Sequence, residues 1–93
     1  MIKSFRHKGV QLFFETGSKA GIQAKHADRL ARMLMVLNRA SQPEHMDLPG
    51  WYLHPLKGAH FRGHRSVRVS GNWRLTFAFD GADAILVDYQ DDH

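Results

Sequence analysis

The chain has 93 residues, enough for one domain around a single core, and 43% hydrophobic against 24% charged residues excludes the disordered class. Thirteen Lys and Arg against nine Asp and Glu give a net charge of +4 with His neutral, which points to an anionic partner, nucleic acid first. With no cysteine, disulfides, thiolate nucleophiles and cysteine-ligated zinc are excluded, and no apolar run approaches the roughly 20 residues of a membrane span.

In chain order, the opening MIKSFRHKG lacks a signal-peptide core, so a cytoplasmic protein with no membrane partner is expected. IKSF reads as a short strand ended by the polar Arg6-His7-Lys8-Gly9, and Val10, Leu12, Phe13 and Phe14 cluster as a short helix does before Gly17-Ser18. From Ala24 to Ala40, helix formers run without Gly or Pro. Ala27, Leu30, Ala31, Leu34 and Leu37 recur there at three- and four-residue steps, the buried stripe of an amphipathic helix. Lys25, Arg29 and Arg32 form a basic ridge along it; such ridges usually just face water, but this one is also a candidate RNA contact. SQPEHMDLPG, residues 41–50, predicts a loop. The periodicity then changes to two: WYLH, SVRV, WRLTFAF and AILVDYQ read as strands. Short turns at Ser70-Gly71-Asn72 and Asp80-Gly81-Ala82-Asp83 make the last three antiparallel neighbours.

The register of one hairpin follows from its apolar faces. If Val67 and Val69 join Trp73 and Leu75 on the core side, position 69 faces 73 and 67 faces 75, because a slip of one residue would turn one set into water. Arg68 then lies opposite Arg74. Two like charges at about 5 Å across a sheet repel, and an anion between them reverses the sign; the guanidinium fork suits phosphate. The competing reading pairs these arginines with carboxylates such as Asp88.

Residues 54–69, HPLKGAHFRGHRSVRV, concentrate histidines among cations. His60 and His64 have a zinc-like gap, but no H-E-x-x-H surrounds them, and Lys57, Arg62 and Arg65 oppose a dication; neither metal nor cofactor is expected. Arg62 and Arg65 read instead as RNA-backbone contacts. There is no P-loop and no G-x-S-x-G elbow. His7, His26, His45, His60 and His64 read as solvated bystanders. What remains fits metal-free RNA cleavage, which needs a base for the ribose 2′-OH, cations on the phosphate and an acid for the leaving oxygen. His54, Lys57, Arg68, Arg74, Asp91 and His93 supply those chemical types, although the last three residues also read as a solvated terminus.

YLHPLKG at 52–58, GHRSVRVSGNWRLTF at 63–77 and the terminal D-x-H at 91–93 together resemble the HigB toxins of the RelE superfamily, and the likeness spans nearly the whole chain. The resemblance implies an α+β fold over residues 1–93, a single domain in which two N-terminal helices pack on a twisted, mainly antiparallel sheet. It implies an mRNA endoribonuclease working in the A site of the 70S ribosome by 2′-OH attack, silenced by a HigA-like helix-turn-helix antitoxin through which alone operator DNA would be met. His54 and Asp91 become acid/base candidates, Lys57, Arg68 and Arg74 phosphate contacts, and His93 the proton donor or orienting group, with His54 and His93 exchangeable. HigB-like tails often end in Asp-Tyr-His, whereas this chain ends Asp91-Asp92-His93, and strand alternation puts Tyr89 on the face of Ile85 and Val87. Base stacking is then absent or falls to Trp51, Tyr52 or Phe61. Two other readings are a non-catalytic RNA- or ribosome-binding module and a degenerate toxin acting mainly through its antitoxin.

Overall fold

Helices form where the apolar spacing places them, and their ends have local causes. In the computed structural model, which describes residues 1–91, α1 spans Lys8–Thr16 and α2 spans Ala27–Arg39. α1 starts at His7, whose Nδ1 accepts from the Val10 N–H at 3.0 Å, and stops at Gly17, whose φ of 81° lets its N–H close on the Phe13 carbonyl. A 3-10 turn over Ala24–His26 precedes α2, so the predicted helix opens with a tighter turn. The buried stripe of α2 is Ala27, Leu30, Met33, Leu34 and Leu37, while Ala31 is exposed. At 3.6 residues per turn Ala31 lies about 95° from the centre of that stripe, and Met33 falls inside it.

Four strands follow in a meander of order β1-β2-β3-β4, every neighbouring pair antiparallel: β1 His54–Pro55, β2 Arg65–Ser70, β3 Trp73–Asp80 and β4 Asp83–Asp91. The predicted WYLH strand survives only at its end, because Tyr52 takes a left-handed φ of 51°. The IKSF segment is reduced to isolated parallel bridges on the far edge, Ile2 with Ala84 and Phe5 with Val87.

Val67 faces Leu75 and Arg68 faces Arg74, as the apolar pattern requires, but Ser70 rather than Val69 stands opposite Trp73, because a bulge absorbs one residue. Val69 stays buried. β4 carries a second irregularity: Thr76 faces Asp88, yet Ala78 faces Ile85, and Leu86 between them has a φ of 57°. The extra residue leaves Ala84, Val87 and Tyr89 buried together and Ile85, expected beside Val87, only half-buried. Ser4 receives the freed backbone groups, its hydroxyl accepting from the Leu86 N–H at 2.9 Å and its carbonyl from the Val87 N–H at 3.2 Å.

One hydrophobic core lies between the helices and a single face of the sheet, joining Leu30, Met33, Leu34 and Leu37 to Val67, Leu75, Phe77 and Val87. Trp51 belongs to it at 4% exposure, a burial that anchors the loop over residues 41–50. Its carbonyl accepts from the Arg68 N–H at 2.7 Å, which fixes the chain at the sheet edge just before β1. Where α1 begins, Gly9 backs directly onto Gly21: a Cβ on Gly21 would stand 2.5 Å from the Gly9 Cα, so neither position has room for a side chain.

Candidate active site

Pleat alternation sends half of the strand residues to the face away from the helices, and there they line a cleft of about 440 Å³. Arg74 and Thr76 come from β3 and Gln90 from β4. His54 comes from β1, while Lys57 and Phe61 come from the loop that returns the chain to β2. Sequence reasoning named His54, Lys57 and Arg74 and missed Thr76 and Gln90. The signal was present, since Thr76 shares a face with Arg74 and Gln90 is the register partner of Arg74.

His54 is exposed and its tautomer is set by its neighbours. Nδ1 lies 3.0 Å from the Tyr52 carbonyl, and a carbonyl only accepts, so Nδ1 carries the proton and donates it. Nε2 is then the nitrogen that accepts when the ring is neutral. It stands 3.2 Å from Oγ of Ser66, a fully buried hydroxyl directly across the β1–β2 pair. Ser66 is thus the hydrogen-bond partner of Nε2, and an imidazole oriented in this way in a cationic cleft can serve as a general base.

The Arg68–Arg74 pair is real, and its charges meet a backbone oxygen. Arg68 Nε donates to the Gly71 carbonyl at 3.1 Å, and Arg74 Nη1 donates to the same oxygen at 2.9 Å. One carbonyl has two lone pairs and serves both. Gly71 can present it because the hairpin turn places this glycine at a φ of 56°. Among the described residues neither arginine forms a salt bridge with Asp88. That carboxylate instead accepts from the Tyr89 N–H at 2.9 Å and from the Gln90 amide at 3.5 Å. Only Arg74 reaches the cleft lining; Arg68 lies toward Tyr52.

The remaining predicted residues disperse. Asp91 ends β4 opposite Trp73, so alternation directs it to the other face from Gln90. His93 and Asp92 lie outside the described residues. Lys25, Arg29 and Arg32 belong to the helical layer, across the sheet from the cleft. Arg29 is occupied there, its Nη2 donating to the carbonyls of Gly50 at 2.7 Å and Arg68 at 3.1 Å, so it pins α2 to the sheet edge. Arg62 is exposed on the loop that carries Phe61, and Arg65 alternates with Ser66 and leans toward the helices.

Three histidines expected to be solvated are structural. His7 caps α1. His64 is buried at 8% exposure, its ring edge-on to Phe61. His26 is buried at 3%, with Nδ1 2.5 Å from the Tyr89 hydroxyl. That hydroxyl also accepts from the Gln23 N–H at 3.4 Å, and Nε2 of His26 is buried without a hydrogen-bond partner among the described residues. Burial, aided by the charge of Lys25, pushes the His26 pKa below its ordinary value and keeps the ring neutral, while burial raises the Tyr89 pKa. Trp73 stacks on Tyr89 with ring centres 4.5 Å apart. The Gln23–Tyr89 and His26–Tyr89 contacts join residues more than 60 positions apart, so no local pattern announced them.

Among the described residues no three His, Cys, Asp or Glu side chains gather where they could hold a metal ion, and no helix is long and apolar enough to cross a membrane. Residues 3–93 match the HigB-like toxin family, described as the RelE-like toxin of the type II toxin–antitoxin system HigB. The chain is 41% identical over 93 residues to the endoribonuclease HigB of Proteus vulgaris, a match covering all of both chains.

Proposed function

The chain belongs to the HigB-like family of type II toxins and is a toxin with endoribonuclease activity, and from that premise we propose that it cuts mRNA in the ribosomal A site with the groups of the cleft. The observation that carries this reading is that His54, its Nδ1 held by the Tyr52 carbonyl, lines one cleft with Lys57 and Arg74. His54 takes the proton from the ribose 2′-OH. The 2′ oxygen then forms a bond to the adjacent phosphorus while the bond from phosphorus to the 5′ oxygen breaks, leaving a 2′,3′-cyclic phosphate and a 5′-hydroxyl. Lys57 and Arg74 neutralise the charge that gathers on the phosphate, worth on the order of 10²–10³ in rate for a well-placed donor. The leaving oxygen takes its proton from His93, the tail group to which the family resemblance gives that role.

Working on the ribosome fits a cleft that offers cations but few groups able to orient an RNA chain by themselves: the ribosome holds the message, and the toxin supplies chemistry. The cytoplasm is the compartment this substrate implies. As a toxin of a toxin–antitoxin system it has an antitoxin partner, which we take to be HigA-like with a helix-turn-helix domain, so that operator DNA is met only through it. The test is a reporter mRNA on translating ribosomes, with and without EDTA. Cutting that survives chelation and fails in His54→Gln and Arg74→Ala is expected; cutting abolished by chelation, or unchanged in both variants, refutes the mechanism.

A further inference from the structure

Tyr52 stands just outside the cleft, and the nuclease chemistry does not use its ring. The residue is 65% exposed, so it adds little to the core, yet its backbone is held in the left-handed region at a φ of 51°. An exposed aromatic on a strained backbone is a costly arrangement without a ligand, and strain of this kind gathers at binding sites. Arg68 lies over the ring, its guanidinium carbon 5.7 Å from the centroid, which assembles an aromatic and a planar cation in one exposed patch. That combination binds unpaired nucleobases: the ring stacks on a base and the guanidinium meets its phosphate.

The patch is tied to the cleft on both sides. The Tyr52 carbonyl is the acceptor that fixes the His54 tautomer, so the ring and the base share one short stretch of chain. Arg68 shares the Gly71 carbonyl with Arg74, which lines the cleft. Of the three aromatics available for stacking, Trp51 is buried in the core and Phe61 lines the cleft wall itself. Tyr52 alone among them is open to a neighbouring nucleotide.

We infer that Tyr52 and Arg68 form a stacking subsite for the unpaired nucleobase next to the scissile phosphate, in place of the tail tyrosine that this sequence lacks. The inference rests on the nuclease reading above. Its ligand is a single-stranded ribonucleotide base of any identity, because every base offers a π-face.

The experiment measures reporter cleavage against substrate concentration for the wild type, Tyr52→Phe and Tyr52→Leu, with melting temperatures to establish that each variant is folded. Tyr52→Leu should raise KM about 5- to 100-fold, the worth of one aromatic–base stack, with kcat within about twofold. Tyr52→Phe, which keeps the ring, should stay within about twofold of wild type on both. Equal KM in the wild type and Tyr52→Leu overturns the subsite while leaving the nuclease reading intact. So does a Tyr52→Leu protein that cuts normally but loses its antitoxin, which would make the ring a protein contact. A wild type that cuts no RNA overturns the nuclease reading and the subsite with it.

Discussion

The two faces of the sheet treat the same side chain in opposite ways. On the helix side His26 is sealed among Tyr89, Trp73 and Gln23, neutral and short of one partner. On the other side His54 is exposed, with one nitrogen committed to a backbone carbonyl and the other available among cations. Burial makes the first imidazole a piece of the core. Exposure at the cleft and an Nδ1 tied to a carbonyl make the second the general base in the proposed mechanism. The difference comes from where the fold puts each ring: His26 closes the 3-10 turn that the helical layer packs onto the sheet, whereas His54 stands on the edge strand β1 and lines the cleft.

The sharpest way to break this contrast is to remove each ring in turn. His54→Ala should lower reporter cleavage by roughly 10²-fold or more, the usual worth of a positioned general base, with an unchanged melting temperature because the side chain is exposed. Tyr89→Phe should do the reverse. It leaves His26 Nδ1 buried without its hydrogen-bond partner and should cost about 1–3 kcal/mol of stability in chemical unfolding, with cleavage by the folded fraction retained. Gly21→Ala should cost a similar amount, about 1–3 kcal/mol, since a methyl there meets the Gly9 backbone.

Acidity separates the faces more gently. In the unfolded chain His26 titrates near 6.5, and in the fold its pKa is lower. The unfolded state therefore binds protons first as pH falls. Stability is full above about pH 6.5 and is lost as pH drops through the folded value. Melting temperature should decline as pH falls below about 6.5, and His26→Phe should flatten that decline. The smallest effect is expected on the basic ridge: Lys25→Ala with Arg32→Ala should change cleavage less than about twofold, because charges across the sheet from the cleft act through screened, long-range attraction alone.

What could be read from the sequence was whatever a repeating pattern enforces. The α2 stripe and the Arg68–Arg74 register both follow from the need to keep apolar residues out of water. Neither bulge was legible, because an extra residue leaves no mark in composition or period, and so Val69 and Ile85 were each misplaced by one step. The histidines fared worst. Nothing near His26 announces Tyr89, and nothing near His64 announces that the loop folds over it. Of the residues that line the cleft, His54, Lys57 and Arg74 had been named from their chemistry, and Thr76 and Gln90 had not, because a hydroxyl and an amide carry no signal until a face has been assigned.

The irregularity at Leu86 also sets how the chain counts. From the β3–β4 turn to Ala78 the paired residue numbers sum to 163, and from Thr76 to Trp73 they sum to 164. Were β4 regular, Tyr89 would face Arg74 and turn into the cleft, while Asp88 and Gln90 would turn into the core. Deleting Leu86 would remove the surplus and leave every later residue opposite its present partner. Deleting one residue beyond it, between Asp88 and Asp91, would change the parity of all that follow. A single position thus works as the phase mark of the strand, and a shortened relative is predicted to have lost its residue there.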